Sequence, residues 1–272
     1  IEKERLNYQA CCSWDLIREG DDILDPEFIH YLNENTFKIT GIKGVYSEDG
    51  DSIKHFGFEG FSTAYKNRLE GSLHTNLLIH ELYKRTVHEG VNTLFGINVI
   101  DYEDNGSSIL LHSSVGEIKA AKVCICTNGF AKQFLKNEEI EPARAQVLIT
   151  KPISNLAING TFHIDKGYTY FRNVNNRILL GGGRNLSFSE ENTTEFQNTA
   201  LIQDYLVNLL KKNILRNKNV EVDYSWSGIM GIGKDKKPII KKLNNKVSCG
   251  VKLGGMGVAI GTEVGYILAN IA

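Results

Sequence analysis

The stretch Leu253-Gly254-Gly255-Met256-Gly257-Val258-Ala259-Ile260-Gly261 carries most information about the fold. The residues before it predict a strand and those after it a terminal helix, so the glycines form a strand-to-helix turn. Glycine has no Cβ, and its backbone can therefore approach a planar or phosphate-bearing ligand closely. The first N–H groups of a helix lack partners and carry the positive end of its dipole. The turn is therefore a candidate ligand site; the alternative is that it only lets the helix pack tightly on the strand.

The turn does not match the GxGxxG fingerprint of dinucleotide-binding proteins. The spacing Gly255-x-Gly257-x-x-x-Gly261 is one residue too long, and only eleven residues follow Gly261 (272 minus 261). A Rossmann unit needs a second strand and an acidic residue about 20 positions further on. We therefore expect the turn to contact another part of a ligand if it binds one.

A second turn, Thr127-Asn128-Gly129, follows the apolar run 122–127. This run does not alternate between polar and apolar residues, which predicts a strand buried on both faces of a parallel sheet, with Cys124 and Cys126 in the interior. Ligands of open α/β sheets bind at such strand ends. An ordinary turn is the alternative interpretation.

The rest of the chain predicts an α/β fold of mixed α+β type, with an antiparallel region inserted between βαβ-like pieces. Asp25 and Pro26 predict a helix start. The other predicted helices are 75–89, ended by Gly90, and 190–210; the other predicted strands are 91–101, 108–112, 117–119, 145–150, 168–172, 177–183 and 220–224, the last followed by a loop over 225–238.

Composition excludes several classes of protein. The 31 basic and 32 acidic side chains give a net charge of −1, which does not support a nucleic-acid partner. No apolar run approaches the roughly 18 residues of a membrane span. The five cysteines form no CxxC pair and no metal-ligand spacing, so we expect a reducing, cytoplasmic location and no metal. The chain begins at Ile1 without Met or a signal pattern, which suggests trimmed termini or a piece of a longer protein.

Taken together, four stretches resemble the FAD-dependent oxidoreductases of the D-amino-acid oxidase superfamily, which includes glycine and sarcosine oxidases. They occur in the family's order. They are 70–73 with the following helix and Val99; Ala121–Gly129; Tyr170 with 177–183; and Trp226-Ser-Gly-Ile with Lys234, Asp235, Pro238 and the glycine turn.

The resemblance implies FAD as cofactor, and an amine or amino-acid substrate that gives a hydride to flavin N5. The turn would offer backbone N–H groups to the pyrimidine edge of the flavin, and the terminal helix would stabilise the negative charge that develops there. The cofactor-binding residues implied are Val99, Thr127, Asn128, Gly129, Gly254, Gly255, Met256, Gly257 and Val258. The family does not rely on one essential base, so no catalytic residue is nominated.

The substrate site departs from the family pattern. Members that oxidise amino acids usually have an arginine after the Trp-Ser-Gly-Ile motif, where this chain has Met230. Arg172 or Lys234 is a possible substitute for binding a substrate carboxylate. Tyr170 and Trp226 complete the candidate substrate-binding set. Alternatively, Arg172 is an ordinary surface arginine in contact with solvent, and Trp226 serves only to pack the protein.

The family's opening strand-GxGxxG-helix unit is not found in residues 1–70. We therefore expect an incomplete FAD-binding, Rossmann-like region (70–144 and 223–272) interleaved with an antiparallel-sheet substrate domain (1–69 and 145–222). The chain would then be a fragment that is inactive alone. A non-catalytic subunit or binding module, or a flavoenzyme acting on a hydroxy acid or alcohol, are the alternatives. The oligomeric state is not predicted.

Overall fold

The computed structural model describes residues 1–216 and 219–272. The helices are α1 (Pro26–Thr40), α2 (Asp51–Phe56), α3 (Thr75–His88), α4 (Phe188–Glu191), α5 (Ala200–Leu209) and α6 (Gly257–Ile271). The strands are β1 (Ser13–Arg18), β2 (Tyr46–Glu48), β3 (Phe61–Asn67), β4 (Val99–Asp104), β5 (Ile109–Ser113), β6 (Gly116–Ala120), β7 (Val123–Ile125), β8 (Glu141–Thr150), β9 (Thr161–Ile164), β10 (Thr169–Val174), β11 (Arg177–Gly182), β12 (Val222–Ile232), β13 (Ile239–Lys242) and β14 (Val247–Val251).

The chain divides into two compact units. Unit 1 comprises Ile1–Glu81, Ala145–Ser187 and Gln197–Ser227; unit 2 comprises Leu82–Arg144, Phe188–Phe196 and Gly228–Ala272. The mixed α/β class predicted from the sequence is confirmed. The assignment of one region to substrate and the other to FAD stays a prediction.

Unit 1 is built on an eight-stranded sheet of order β12-β8-β11-β10-β9-β1-β3-β2. The β1–β9 pair is parallel, whereas the β1–β3, β9–β10 and β10–β11 pairs are antiparallel. Asn175 and Asn176 form the predicted turn between β10 and β11, with φ of 52° and 60°. Both values lie in the left-handed region that a two-residue hairpin turn requires.

Side chains alternate across this sheet, and one face forms the core of unit 1. Trp14, Phe162, Phe171 and Leu180 are buried on that face, where Ile202 of α5 packs against them. Their sequence neighbours therefore point to the opposite face of the same strands. That opposite face carries the candidate substrate residues Tyr170 and Arg172.

Unit 2 contains two three-stranded sheets, β13-β14-β7 and β4-β5-β6. β14 and β7 are parallel, and their buried residues Ile125, Val247, Cys249 and Val251 belong to the core of the unit. The prediction that Cys124 and Cys126 are interior is wrong, since both are exposed. The reason is that β7 is a short strand at the edge of its sheet.

Three predicted elements differ in extent. The helix expected over 190–210 is split, because α4 ends at Glu191 and α5 begins at Ala200. The strand expected over 91–101 begins only at Val99. The loop expected over 225–238 is largely strand, since β12 continues to Ile232 beside β8. Pairing with β8 outweighs the weak strand propensity of the serines and glycines in this segment.

Candidate functional site

The glycine turn of unit 2 exposes its backbone. Gly254 and Gly255 have φ of 59° and 82°, a left-handed conformation that favours glycine. The Met256 N–H donates to the Leu253 carbonyl at 2.9 Å, and α6 begins at Gly257. No side chain caps this helix start. Its first N–H groups are therefore available as donors to a ligand.

Two hydrogen bonds hold this turn to the neighbouring segments. The Leu253 N–H donates to Oδ1 of Asn128 at 3.0 Å. The Gly254 N–H donates to the Gly231 carbonyl at 2.9 Å. The turn after β7, the end of β12 and the glycine turn thus form one cluster, to which Gly129 and Met230 also belong.

Close backbone packing explains two glycines of this cluster. A Cβ at Gly129 would lie 2.8 Å from the Met230 carbonyl oxygen. A Cβ at Gly231 would lie 2.8 Å from Asn128 Oδ1. Gly231 was not among the predicted site residues, although a glycine inside an apolar strand signals such a close approach.

The other predicted cofactor residues take different positions. Thr127, Met256 and Val258 are exposed, and Gly257 is half-buried at the first position of α6. Val99 lies instead in the β4-β5-β6 sheet, where its carbonyl accepts a hydrogen bond of 3.2 Å from Gln133 Nε2.

The lysine beside the glycine turn has an acidic partner. Lys252 Nζ is buried and lies 2.6 Å from Asp235 Oδ1. The hydrogen bond from Lys252 lowers the pKa of Asp235. Lys234, a predicted carboxylate-binding candidate, is exposed, and its backbone N–H donates to Glu139 Oε1 at 2.8 Å.

In unit 1, Tyr170 lies on the sheet face opposite the core. It pairs with His163 of β9 and Gly181 of β11. A Cβ at Gly181 would lie 2.9 Å from the Tyr170 hydroxyl oxygen, so the tyrosine ring covers this glycine. Burial raises the pKa of the Tyr170 hydroxyl.

Arg172 shares this face, because it is two residues from Tyr170 in a strand without register shifts. Its Nη1 donates to the Leu73 carbonyl at 2.8 Å. Burial lowers the pKa of the Arg172 guanidinium. Within residues 1–216 and 219–272, no carboxylate forms an ion pair with it. Arg172 is therefore a half-buried cation with which an anionic ligand group would form an ion pair.

Trp226 lies on β12 and is 44% exposed. Among the described residues it belongs to neither hydrophobic core cluster. The structure thus leaves the indole accessible. Met230 lies on the same strand, and its sulfur is 3.3 Å from the position that a Cβ of Gly255 would take.

Asp15 and His163 were not predicted as site residues. They pair across β1 and β9, with His163 Nδ1 3.4 Å from Asp15 Oδ1. No local sequence signal joins them, since only the strand register brings them together.

Two further features do not occur in the described part of the chain. No group of three or more His, Cys, Asp or Glu side chains there is arranged to hold a metal ion. No helix there is long and apolar enough to cross a bilayer.

Comparison with known proteins identifies the family. A family model described as FAD dependent oxidoreductase (DAO) matches residues 48–271, which is most of the chain. The chain belongs to the DAO family. Members of this family use FAD, and the predicted resemblance and cofactor are thereby confirmed. A comparison with curated protein sequences finds no match.

Solved structures of DAO-type enzymes share the fold. L-proline dehydrogenase from P. horikoshii is 19% identical, with a TM-score of 0.77 over 98% of this chain and 74% of that one. Glycine oxidase from Geobacillus kaustophilus is 15% identical, with a TM-score of 0.78 over 99% and 73%. Iminodiacetate oxidase from Chelativorans sp. BNC1 is 16% identical, with a TM-score of 0.78 over 98% and 73%.

Proposed function

We propose that the chain is part of an FAD-dependent oxidoreductase that oxidises an amine or amino acid by hydride transfer to flavin N5. Membership of the DAO family supports the redox cofactor. The neighbouring structures are named for oxidation of glycine, L-proline and iminodiacetate, which are all amino or imino acids. The observation that carries the proposal is the uncapped, glycine-built start of α6.

The residues of this turn fit a flavin. No atom lies within 4 Å of the position that a Cβ of Gly254 would take, so the backbone there is open to a planar group. The N–H groups of Gly255, Gly257 and Val258 would hold the pyrimidine edge, and the helix dipole would stabilise negative charge there. When bound, FAD supplies the hydride acceptor. Asn128 positions the turn, because its side-chain oxygen is already bonded to the Leu253 N–H.

On the substrate side, Arg172 would bind a carboxylate, since its guanidinium has a backbone partner but no acidic one in the described chain. Tyr170 would contribute a hydroxyl from the same sheet face. Trp226 would supply an apolar wall. Together these groups favour a small amino acid over a simple alcohol.

The phosphate-binding unit of the family is not among the 272 residues. We propose that other residues of a longer protein supply it. Two features of unit 2 support this: β7 has an open edge, and α6 buries Val264 and Leu268 while leaving Val258 and Tyr266 exposed.

The test uses the longer protein that carries the phosphate-binding unit, saturated with FAD and kept free of oxygen. Glycine, L-proline and iminodiacetate are each expected to bleach the flavin absorbance, whereas glycolate and lactate are not. Bleaching by the hydroxy acids alone would favour the alcohol or hydroxy-acid alternative. Absence of bleaching with every compound would favour a non-catalytic module.

Arg172→Met is expected to raise the KM of an amino acid at least tenfold, with little change for a simple amine. Arg68→Met is a matched control, because the Arg68 guanidinium also donates to backbone carbonyls, those of Gly44 and Lys43. An equal effect of both substitutions would contradict the role of Arg172.

A further inference from the structure

Four residues form a row across the solvent-facing side of the unit 1 sheet. Asp15 pairs with His163, His163 with Tyr170, and Tyr170 with Gly181. Directly opposed side chains on adjacent strands are about 5 Å apart and point to the same side. An acid, an imidazole and a phenol therefore stand side by side, next to the glycine that the phenol ring covers.

The first two members of this row form a dyad. Nδ1 of His163 is 3.4 Å from Asp15 Oδ1, which leaves Nε2 as the nitrogen for another partner. The His163 side chain is 38% exposed and the Asp15 side chain 54%, so the dyad is accessible. Within the described residues, Nε2 forms no hydrogen bond.

The surroundings of the imidazole favour its charged form. The hydrogen bond to Asp15 raises the pKa of His163, burial lowers it, and the charges of Asp15 and Glu70 raise it further, with a net upward shift. Tyr170 is the residue that pairs with His163 on β10. Burial raises the pKa of Tyr46, and the charges of Glu70 and Asp15 raise it further. In the described chain, no lysine or arginine forms an ion pair with Asp15.

We propose that His163, oriented by Asp15, accepts the proton of the substrate ammonium group. This inference rests on the proposed function. A protonated amine has no lone pair to stabilise the cation that forms as hydride leaves the adjacent carbon. In the step, one N–H bond of the ammonium breaks and an N–H bond forms at Nε2, with no change in oxidation state. The Asp15 carboxylate balances the imidazolium, and water then removes the proton.

Two other histidines of the described chain are poorer candidates. His74 Nδ1 is buried without a hydrogen-bond partner, and no carboxylate is recorded beside it. His112 lies on β5 of unit 2, and its Nε2, 3.3 Å from Glu103 Oε1, already faces a carboxylate. His112 is thus a matched control, since it is a similarly exposed histidine with an acidic partner.

The first experiment needs neither flavin nor turnover. NMR titration of the histidine imidazoles is expected to show His163 titrating above 6.5, the usual histidine pKa, with H163Q removing that signal. Asp15→Asn is expected to lower the midpoint, because the carboxylate is lost while the side-chain shape is kept. An unchanged midpoint in D15N would overturn the dyad.

The second experiment measures flavin reduction by glycine against pH in the FAD-loaded longer protein. In the wild type the rate is expected to rise through the His163 pKa. In H163Q the rise in rate is expected to move toward the pKa of the substrate amine. At pH values below that pKa, the rate of flavin reduction should fall about 10²-fold or more relative to the wild type. H112Q is expected to behave as the wild type, and added imidazole is expected to restore part of the rate in H163A.

The outcomes separate the two proposals. If no amine reduces the flavin of the wild-type protein, the proposed function fails, and proton acceptance by His163 fails with it. If the wild type is reduced by glycine but folded H163Q keeps the same pH profile, only the role of His163 is overturned. The role of His163 would also be overturned if H163A kept the wild-type pH profile and added imidazole did not increase its rate.

Discussion

The side-chain oxygen of Asn128 accepts a hydrogen bond of 3.0 Å from the backbone N–H of Leu253. This bond joins the turn after β7 to the last residue before the glycine turn. Asn128 also has a φ of 43°, which asparagine tolerates better than most residues. Asn128 therefore has two roles: its side chain accepts a hydrogen bond from the Leu253 N–H, and its backbone forms the turn after β7.

Replacing Asn128 should separate these two effects. Asn128→Gly removes the hydrogen bond but keeps the left-handed backbone, and should cost about 1 kcal/mol of unfolding free energy. Asn128→Ala also strains the backbone and should cost about 2 kcal/mol. Urea denaturation followed by circular dichroism measures both. Equal effects would show that the backbone conformation contributes nothing.

Two glycines of β12 should respond differently to the same substitution. Gly231→Ala places a methyl group 2.8 Å from Asn128 Oδ1 and 3.0 Å from its carbonyl oxygen, so the segment must shift. We expect a loss of about 1–3 kcal/mol. Gly228→Ala is the control, because nothing lies within 4 Å of that Cβ position. Thermal unfolding of the two variants should show a lower Tm for G231A, and similar values would contradict the packing described.

A partly buried network in unit 1 should make stability depend on pH. Asp165 accepts hydrogen bonds from Arg18 Nε at 2.6 Å and from the Tyr205 hydroxyl at 2.8 Å. Burial alone would raise the pKa of Asp165, but the hydrogen bonds from Arg18 and Tyr205 outweigh burial and lower it. The stabilisation is therefore present above the usual aspartate pKa of about 3.9 and is lost as the pH falls through the lower folded-state value.

Asp165→Asn tests this network, since asparagine keeps the shape and tolerates the φ of 55° at this position. We expect a loss of about 1.5–3 kcal/mol near neutral pH, because bonds to a charged group are lost. The difference from the wild type should shrink below pH 4. Urea denaturation at several pH values measures this difference in unfolding free energy. A difference that stays constant with pH would contradict a contribution from the charged Asp165 carboxylate.

The isolated chain should hold FAD weakly. In the proposed function the glycine turn binds only the flavin ring, and no GxGxxG unit for the pyrophosphate occurs in the sequence. After dialysis against buffer without FAD, the absorbance near 450 nm should correspond to far less than one flavin per chain. A purified chain that stays yellow at one flavin per chain would contradict this prediction.

Local patterns were sufficient to predict several parts of this structure. The helix start at Pro26 was predicted correctly, because the Asp25 carboxylate accepts the Glu27 N–H at 2.8 Å within the same few residues. The Asn175-Asn176 hairpin and the glycine turn before α6 are equally local. Their conformations depend on the φ preferences of a few consecutive residues.

Features set by distant contacts were predicted less well. β12 continues through Trp226 and Met230 because β8 pairs with it, whereas its own serines and glycines suggested a loop. Cys124 is exposed because β7 is an edge strand, which its apolar sequence does not reveal. In both cases the neighbouring strand decides the outcome.

The sequence by itself determined the α/β class, the family resemblance and the glycine turn, since each depends on residues adjacent in the chain. Only the tertiary structure decided which side chains meet. Leu253 reaches Asn128, and His163 reaches Asp15, through the register of strands that are far apart in sequence. Because a shift of one residue in register would turn every side chain to the other face, these pairs follow from the sheet as a whole.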